Sequence, residues 1–203
     1  MKIKLTQNEL KKQRDALQQY ERYLPTLQLK KQQLQREISH QQTLLGEKKR
    51  SLDVKRNAAT DWAGLLGEPP DIRPWLVPES IITTRMNIAG VDLKIVERVE
   101  FGPADYDLFL TPLWVDAAIE RLREIVSLQT EIGIMEEGIS TLKHELLITT
   151  QRVNLFEKVK IPEAREAIRR IKIHLGDQMT NAVGRSKMVK TKIEKAGIEE
   201  GVA

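Results

Sequence analysis

From Leu10 to Leu52 the chain reads LKKQRDALQQYERYLPTLQLKKQQLQREISHQQTLLGEKKRSL, and its apolar residues return every seven positions. Leu10, Leu17, Leu24, Lys31, Ile38, Leu45 and Leu52 occupy one heptad position, and only Lys31 among them is polar. The companion position reads Gln13, Tyr20, Leu27, Leu34, Gln41 and Lys48, of which half are apolar. A seven-residue repeat held over this length predicts a supercoiled helix with a partner strand. At 1.5 Å per residue, some 50 helical residues would reach about 75 Å. Thr6 suits the N-cap, and Glu9 three residues on completes a capping box. Pro25 removes one helical hydrogen bond without ending so strong a pattern.

The partner lies at the other end of the chain. Ile125, Leu128, Ile132, Met135, Ile139, Leu142, Leu146, Thr149, Val153 and Phe156 form a second stripe with three- and four-residue spacing. Past Pro162 the stripe resumes one residue out of phase, as Ile161, Ala164, Ile168, Ile171, Leu175 and Met179. A slip beside a proline predicts a bend or a change in supercoil. Gly133, Gly138, Gly176 and Gly184 weaken this helix and would permit close approach of another. Two arms of similar length bury their stripes most simply by packing on each other antiparallel. The reading is therefore an all-α dominated fold: a long antiparallel two-helix coiled coil with a short β-hairpin insert.

Charge and proline divide the chain the same way. Residues 1–56 carry 14 basic and 6 acidic side chains, residues 57–112 carry 4 and 9, and residues 113–203 carry 15 and 14. Six of the eight prolines fall in the middle segment. The expected organisation is an N-terminal coiled-coil helix at 1–60, an acidic proline-rich insert at 61–112, and a C-terminal coiled-coil helix with a basic tail at 113–203. Gly67 to Pro78 is too proline-rich for helix. The β-branched runs either side of Ala89-Gly90 predict a hairpin over about 81–101. A lone hairpin is marginal in water, so it should lie against the coiled coil or another protein.

Most chemistry is excluded. There is no cysteine, so disulfides, thiolate metal sites and a cysteine nucleophile are absent. Gly64-Leu65-Leu66-Gly67 lacks the lysine of a phosphate loop. His40, His144 and His174 are far apart in sequence, and the adjacent Glu136 and Glu137 point about 100° apart on a helix. No nucleophile triad is recognisable, and neither a membrane span nor a signal peptide is present, which predicts a non-enzymatic cytoplasmic protein without a cofactor. Arg185, Lys187, Lys190, Lys192 and Lys195 make the tail basic, consistent with solubility, with nucleic-acid binding or with a protein cavity of acidic or polar lining.

The segment Gln151-Arg152-Val153-Asn154-Leu155-Phe156-Glu157-Lys158-Val159-Lys160-Ile161-Pro162 resembles a signature of the D subunit of the V-type/A-type rotary ATPases. In that family an Arg-Val-Asn-x-x-Glu stretch runs into Ile-Pro and a further amphipathic turn, here Ile168-Arg169-Arg170-Ile171. Leu5-Thr6 and Leu27-Gln28-Leu29-Lys30-Lys31-Gln32-Gln33-Leu34 sit where the family carries its opening helix. The sequence departs from the pattern in its ten glutamines between residues 7 and 42, and in the run Gly176 to Gly184; both suggest a divergent bacterial branch.

The resemblance implies a central rotor shaft that couples ATP synthesis or hydrolysis to proton or sodium transport. It implies partners: a head of three catalytic and three non-catalytic subunits, the small F subunit of the central stalk, and a funnel-shaped adaptor on the membrane ring. The complex would lie peripheral to the inner membrane, with the ATP sites on the partners. Head contact is expected at Arg14, Arg152, Arg169, Arg170, Arg185, Lys187 and Lys190. The partner-stalk interface is expected at Trp62, Trp75, Ile82, Met86, Ile88, Leu93 and Ile95. The alternatives are a non-rotary coiled-coil scaffold and a nucleic-acid-binding helical hairpin.

Overall fold

The computed structural model describes residues 4–107, 109 and 111–200, with side chains described as far as Ile193. Helix α1 runs Gln7–Thr60, strands β1 and β2 run Pro78–Ile88 and Val91–Phe101, and helices α2 and α3 run Trp114–Leu155 and Ile161–Glu200. The chain forms two compact units. One comprises Met1–Gln28 with Thr150–Ala203, and the other Leu29–Thr149.

The heptad of α1 is a seam throughout. Every one of its positions from Leu10 to Leu52 is buried or half-buried, the polar Gln13, Lys31, Gln41 and Lys48 included. The Thr6 hydroxyl accepts the Glu9 N–H at 3.3 Å, and the Thr6 carbonyl accepts Leu10 N–H at 3.0 Å. Only half of the capping box forms, because the Glu9 carboxylate is taken by Gln13 Nε2 at 2.8 Å. Pro25 stays inside the helix. Glu21 and Pro25 both lie on the exposed face, so the carbonyl left without an amide turns to solvent and the interruption is cheap.

In the Leu29–Thr149 unit, α1 and α2 run antiparallel. Lys30 pairs with Glu145 at 3.0 Å, Lys49 with Glu136 at 2.6 Å, and Lys55 with Glu124 at 2.5 Å; Lys48 pairs with Glu131. These bridges are part-exposed, worth roughly 0–1 kcal/mol each, so they fix register more than they stabilise. The apolar seam supplies the stability, at about 1.5–3 kcal/mol for each large side chain fully buried.

The hairpin lies on that helix pair. Ile88 faces Val91 across the two-residue turn Ala89-Gly90, whose φ values of 52° and 78° suit a primed hairpin turn. Alanine in this region costs about 1–2 kcal/mol. Two things offset it: Asn87 Oδ1 accepts the Gly90 N–H at 3.2 Å, and Ala89 packs on a core of Leu34, Ile38, Leu93 and Leu142. Leu93 thereby meets α2 at Gly138, where an added Cβ would stand 3.8 Å from its Cδ2, an ordinary contact. Gly133, Gly176 and Gly184 have nothing within 4 Å of an added Cβ, so these three glycines mark no close approach.

A second core joins Ile72, Val115, Ala118 and Ile119, with Trp62, Trp75, Tyr106 and Trp114 packed around it. The proline-rich approach to β1 is not wholly irregular. Arg73–Leu76 forms one 3-10 turn, because Pro74 sits in its first turn, where no amide donor is needed.

The phase slip has a definite cause. Between α2 and α3, Phe156–Lys160 forms a π turn, and the Ile161 N–H bonds to the Phe156 carbonyl five residues back. One extra residue is thus accommodated inside a continuous run of helix. Val153 before the turn and Ile161, Ala164 and Ile171 after it are all buried. Pro162 follows at once: the wide turn spares its ring a clash with the preceding carbonyl.

Candidate partner-binding surfaces

In the unit that contains α3, burial stops abruptly. Ile171 is fully buried and Leu175 half-buried, yet every residue from Gly176 to Ile193 is exposed. Met179, expected on the seam, is 68% exposed. The reason is that α1 begins only at Gln7, with Leu10 its first buried side chain, so it has no residue left to cover α3 beyond Leu175. The uncovered run is nevertheless amphipathic. Met179, Ala182, Ser186, Val189 and Ile193 recur at helical spacing, interleaved with Arg185, Lys187, Lys190 and Lys192.

All seven expected head-contact residues belong to this unit, and all are exposed. Two are locked together. The Glu166 carboxylate accepts Arg169 Nε at 2.8 Å and Nη2 at 2.9 Å, and Arg170 Nε at 2.8 Å. Arg169 foremost, then Arg170, hold the Glu166 pKa down to about 2, and Glu166 in turn raises that of Arg169. A carboxylate with a depressed folded pKa supports the structure above its unfolded value near 4.5, and that support fades as pH falls toward 2. The Glu166 side-chain carbon should therefore titrate by NMR with a midpoint near 2. A midpoint near 4 would show that the fork does not form in solution.

In the other unit the expected interface residues divide. Leu93 is buried and Ile88 half-buried against the chain's own α1 and α2, so their apolar surface is spent internally. Trp62 and Trp75 are half-buried around the Ile72–Val115 core, with the Trp75 and Tyr106 rings 5.1 Å apart. Ile82 is half-buried, whereas Met86 and Ile95 are exposed, together with Ile81. A groove of about 230 Å³ runs beside the hairpin, lined among others by Leu44, Leu93, Ile95, Met135 and Ile139.

Arg123 carries no signal in the sequence, yet it fixes this region. Its Nε donates to the Trp75 carbonyl at 3.0 Å and its Nη2 to the Gly102 carbonyl at 2.6 Å, while the guanidinium stands 5.1 Å over the Phe101 ring. The two outer ends of the hairpin are thus tied to α2 by one side chain. His40 and His144 are exposed, and His174 contacts Gln178 at 3.0 Å. Among the described residues no three histidine or acidic side chains are placed to hold a metal, and no helix is long and apolar enough to cross a membrane.

The exposed features are thus an uncovered amphipathic run on α3 in one unit and, in the other, a hairpin buttressed beside an apolar groove. Residues 9–191 match the family model for the D subunit of ATP synthase. The chain is 42% identical to the V-type ATP synthase D subunit of Borreliella burgdorferi over 96% of each chain. It is 33% identical to that of Chlamydia pneumoniae, covering 96% of this chain and 94% of the relative, and 32% identical to that of Chlamydia caviae, covering 95% and 94%. The chain belongs to the ATP synthase D subunit family.

Proposed function

We propose that this chain is the non-catalytic central-stalk subunit of a V-type ATP synthase and that it carries torque between the ATP-handling head and the ion-translocating membrane ring. The observation that carries this reading is the run Gly176 to Ile193, a patterned apolar and basic helix that the chain itself leaves bare. Such a helix is at ease only when other subunits surround it. Its apolar spots are small and broken by charge, which favours sliding contact over permanent adhesion. The ATP sites lie on the surrounding subunits, three catalytic and three non-catalytic, whose conformations the stalk biases as it turns. Arg14, Arg152, the Arg169–Arg170 pair, Arg185, Lys187 and Lys190 face the head. The small F subunit takes the hairpin side through Met86, Ile95 and the adjoining groove, with Trp62, Trp75, Ile82, Ile88 and Leu93 holding that surface in shape. The funnel-shaped adaptor joins this assembly to the membrane, and the chain needs no span of its own.

Because the chain has no cysteine, a single reactive position can be introduced cleanly. A benzophenone attached to Met179→Cys, the first large side chain past the covered seam, should photo-cross-link to a head subunit. ATP turnover of the purified complex should then fall in proportion to the cross-link yield, approaching zero at full yield. Undiminished turnover with the stalk fully tethered would refute rotation. Cross-linking to a second copy of this chain would point to a scaffold instead.

A further inference from the structure

Both helices of the unit formed by Met1–Gln28 and Thr150–Ala203 lose part of their hydrogen-bond ladder, and they lose it at the same height. On α1 the interruption is Pro25, which has no N–H to give the Glu21 carbonyl. On the other helix it is double. Phe156–Lys160 winds as a π turn, and Pro162, close behind it, again supplies no N–H to the preceding turn. Two contacts set the interruptions level. The Tyr20 ring stacks on that of Phe156, the first residue of the π turn, with centroids 5.3 Å apart. Glu21, whose carbonyl Pro25 leaves without an amide, holds Arg165 Nη2 with its carboxylate at 2.7 Å.

Packing is thin here as well. No side chain among residues 11–28 of α1 is fully buried. Beside Arg165, the buried Ala164 and Ala167 bring little apolar surface to the seam. A helix bends by lengthening hydrogen bonds on its convex side, and sharp bends gather where proline or a π turn has already opened the ladder. One interrupted helix in a pair is splinted by its intact neighbour. Two interruptions at one height remove the splint. The ties that remain, a ring stack and an exposed ion pair, join side chain to side chain, so the helix axes can tilt without parting.

We propose that Pro25 and residues 156–162 form a hinge at which this helix pair bends, so that the bare run of residues 176–193 can tilt as its surroundings change shape. That those surroundings are head subunits rests on the stalk reading above. The hinge itself rests on the paired interruptions.

The test places nitroxide labels at Gln151→Cys and Lys172→Cys, two exposed sites flanking the hinge, in a chain that has no other cysteine. A reference pair, Glu120→Cys and Thr141→Cys, spans the same number of residues within the unbroken α2. Each pair stands roughly 30 Å apart at 1.5 Å per residue, within reach of pulsed electron resonance. In the purified ATPase complex the hinge pair should show a distance distribution about twofold wider than the reference pair. Equal widths in the unaltered backbone would overturn the proposal. Pro25→Ala keeps the residue count and should narrow the hinge pair, although the labels sit on the other helix, because one intact helix splints both. A width unmoved by Pro25→Ala would also overturn it, since the looseness would then belong to α3 alone. Adding Pro162→Ala and deletion of Lys158 closes the second ladder and should bring the hinge pair to the reference width. If the chain purifies with no ATPase subunits the stalk reading fails, and the same widths measured on the free chain still decide the hinge.

Discussion

Replacing Leu142 with alanine should lower the stability of the Leu29–Thr149 unit by about 3–4 kcal/mol. Leu142 is fully buried where three elements meet: Leu34 and Ile38 from α1, Leu93 from the hairpin, and α2 itself. Removing its branched end leaves a void that none of the three can fill alone, which places the cost in the upper half of the 2–5 kcal/mol range for such truncations. Urea denaturation measures the loss. Hydrogen exchange should show the hairpin amides between Met86 and Leu93 opening first, since the turn leans on this core. Leu147→Ala supplies the control: that side chain lies on the same helix but is 54% exposed, and its loss should cost under about 0.5 kcal/mol. Similar costs for the two variants would show that the hairpin does not seat as described.

Arg123→Ala should cost about 2–3 kcal/mol. Two carbonyls, of Trp75 and Gly102, lose a charged donor, worth roughly 1 kcal/mol or more each, and the contact with Phe101 adds about 0.5–1 kcal/mol. Partial exposure of the group keeps the sum from rising further. Arg123→Lys is the discriminating variant. An ammonium cannot span two carbonyls in the planar geometry of a guanidinium, so it should recover half the loss at most. Thermal unfolding of both variants checks this, and wild-type stability in the lysine variant would refute the bidentate role. Weaker retention of the hairpin-side partner should accompany the destabilisation, because the hairpin base would no longer be held at a fixed angle.

The features legible in the sequence are the local ones. A heptad is a statement about neighbours three and four apart, so the seam from Leu10 to Leu52 could be read before any partner was known, and its polar members Lys31 and Gln41 proved covered with the rest. Glycine after alanine between two β-branched runs marks a turn just as locally. The orientation of the hairpin is not local. Leu93 and Ile95 lie two apart on one face of β2, and which of them is covered depends on where along the strand the hairpin meets α2, which alternation cannot tell. Arg123 was invisible for the same reason: its acceptors are main-chain atoms 48 and 21 residues away, and no spacing rule connects them. The stripe's slip near Pro162 was visible as a pattern; its device was not, because a π turn and a kink leave the same trace in the sequence.

That π turn also determines where this family of helices can change length. In an unbroken α-helix, gaining or losing one residue rotates everything downstream by about 100° and swings the seam away from its partner. Between Phe156 and Lys160 the surplus residue is already looped into the wide turn. A chain shorter by one there, with Pro162 also replaced, would close into ordinary α-helix and keep Ile161, Ala164 and Ile171 on the buried side. The helical stretch from Trp114 to Glu200 thus contains a point at which evolution or engineering can edit the count and keep the same side of α3 buried.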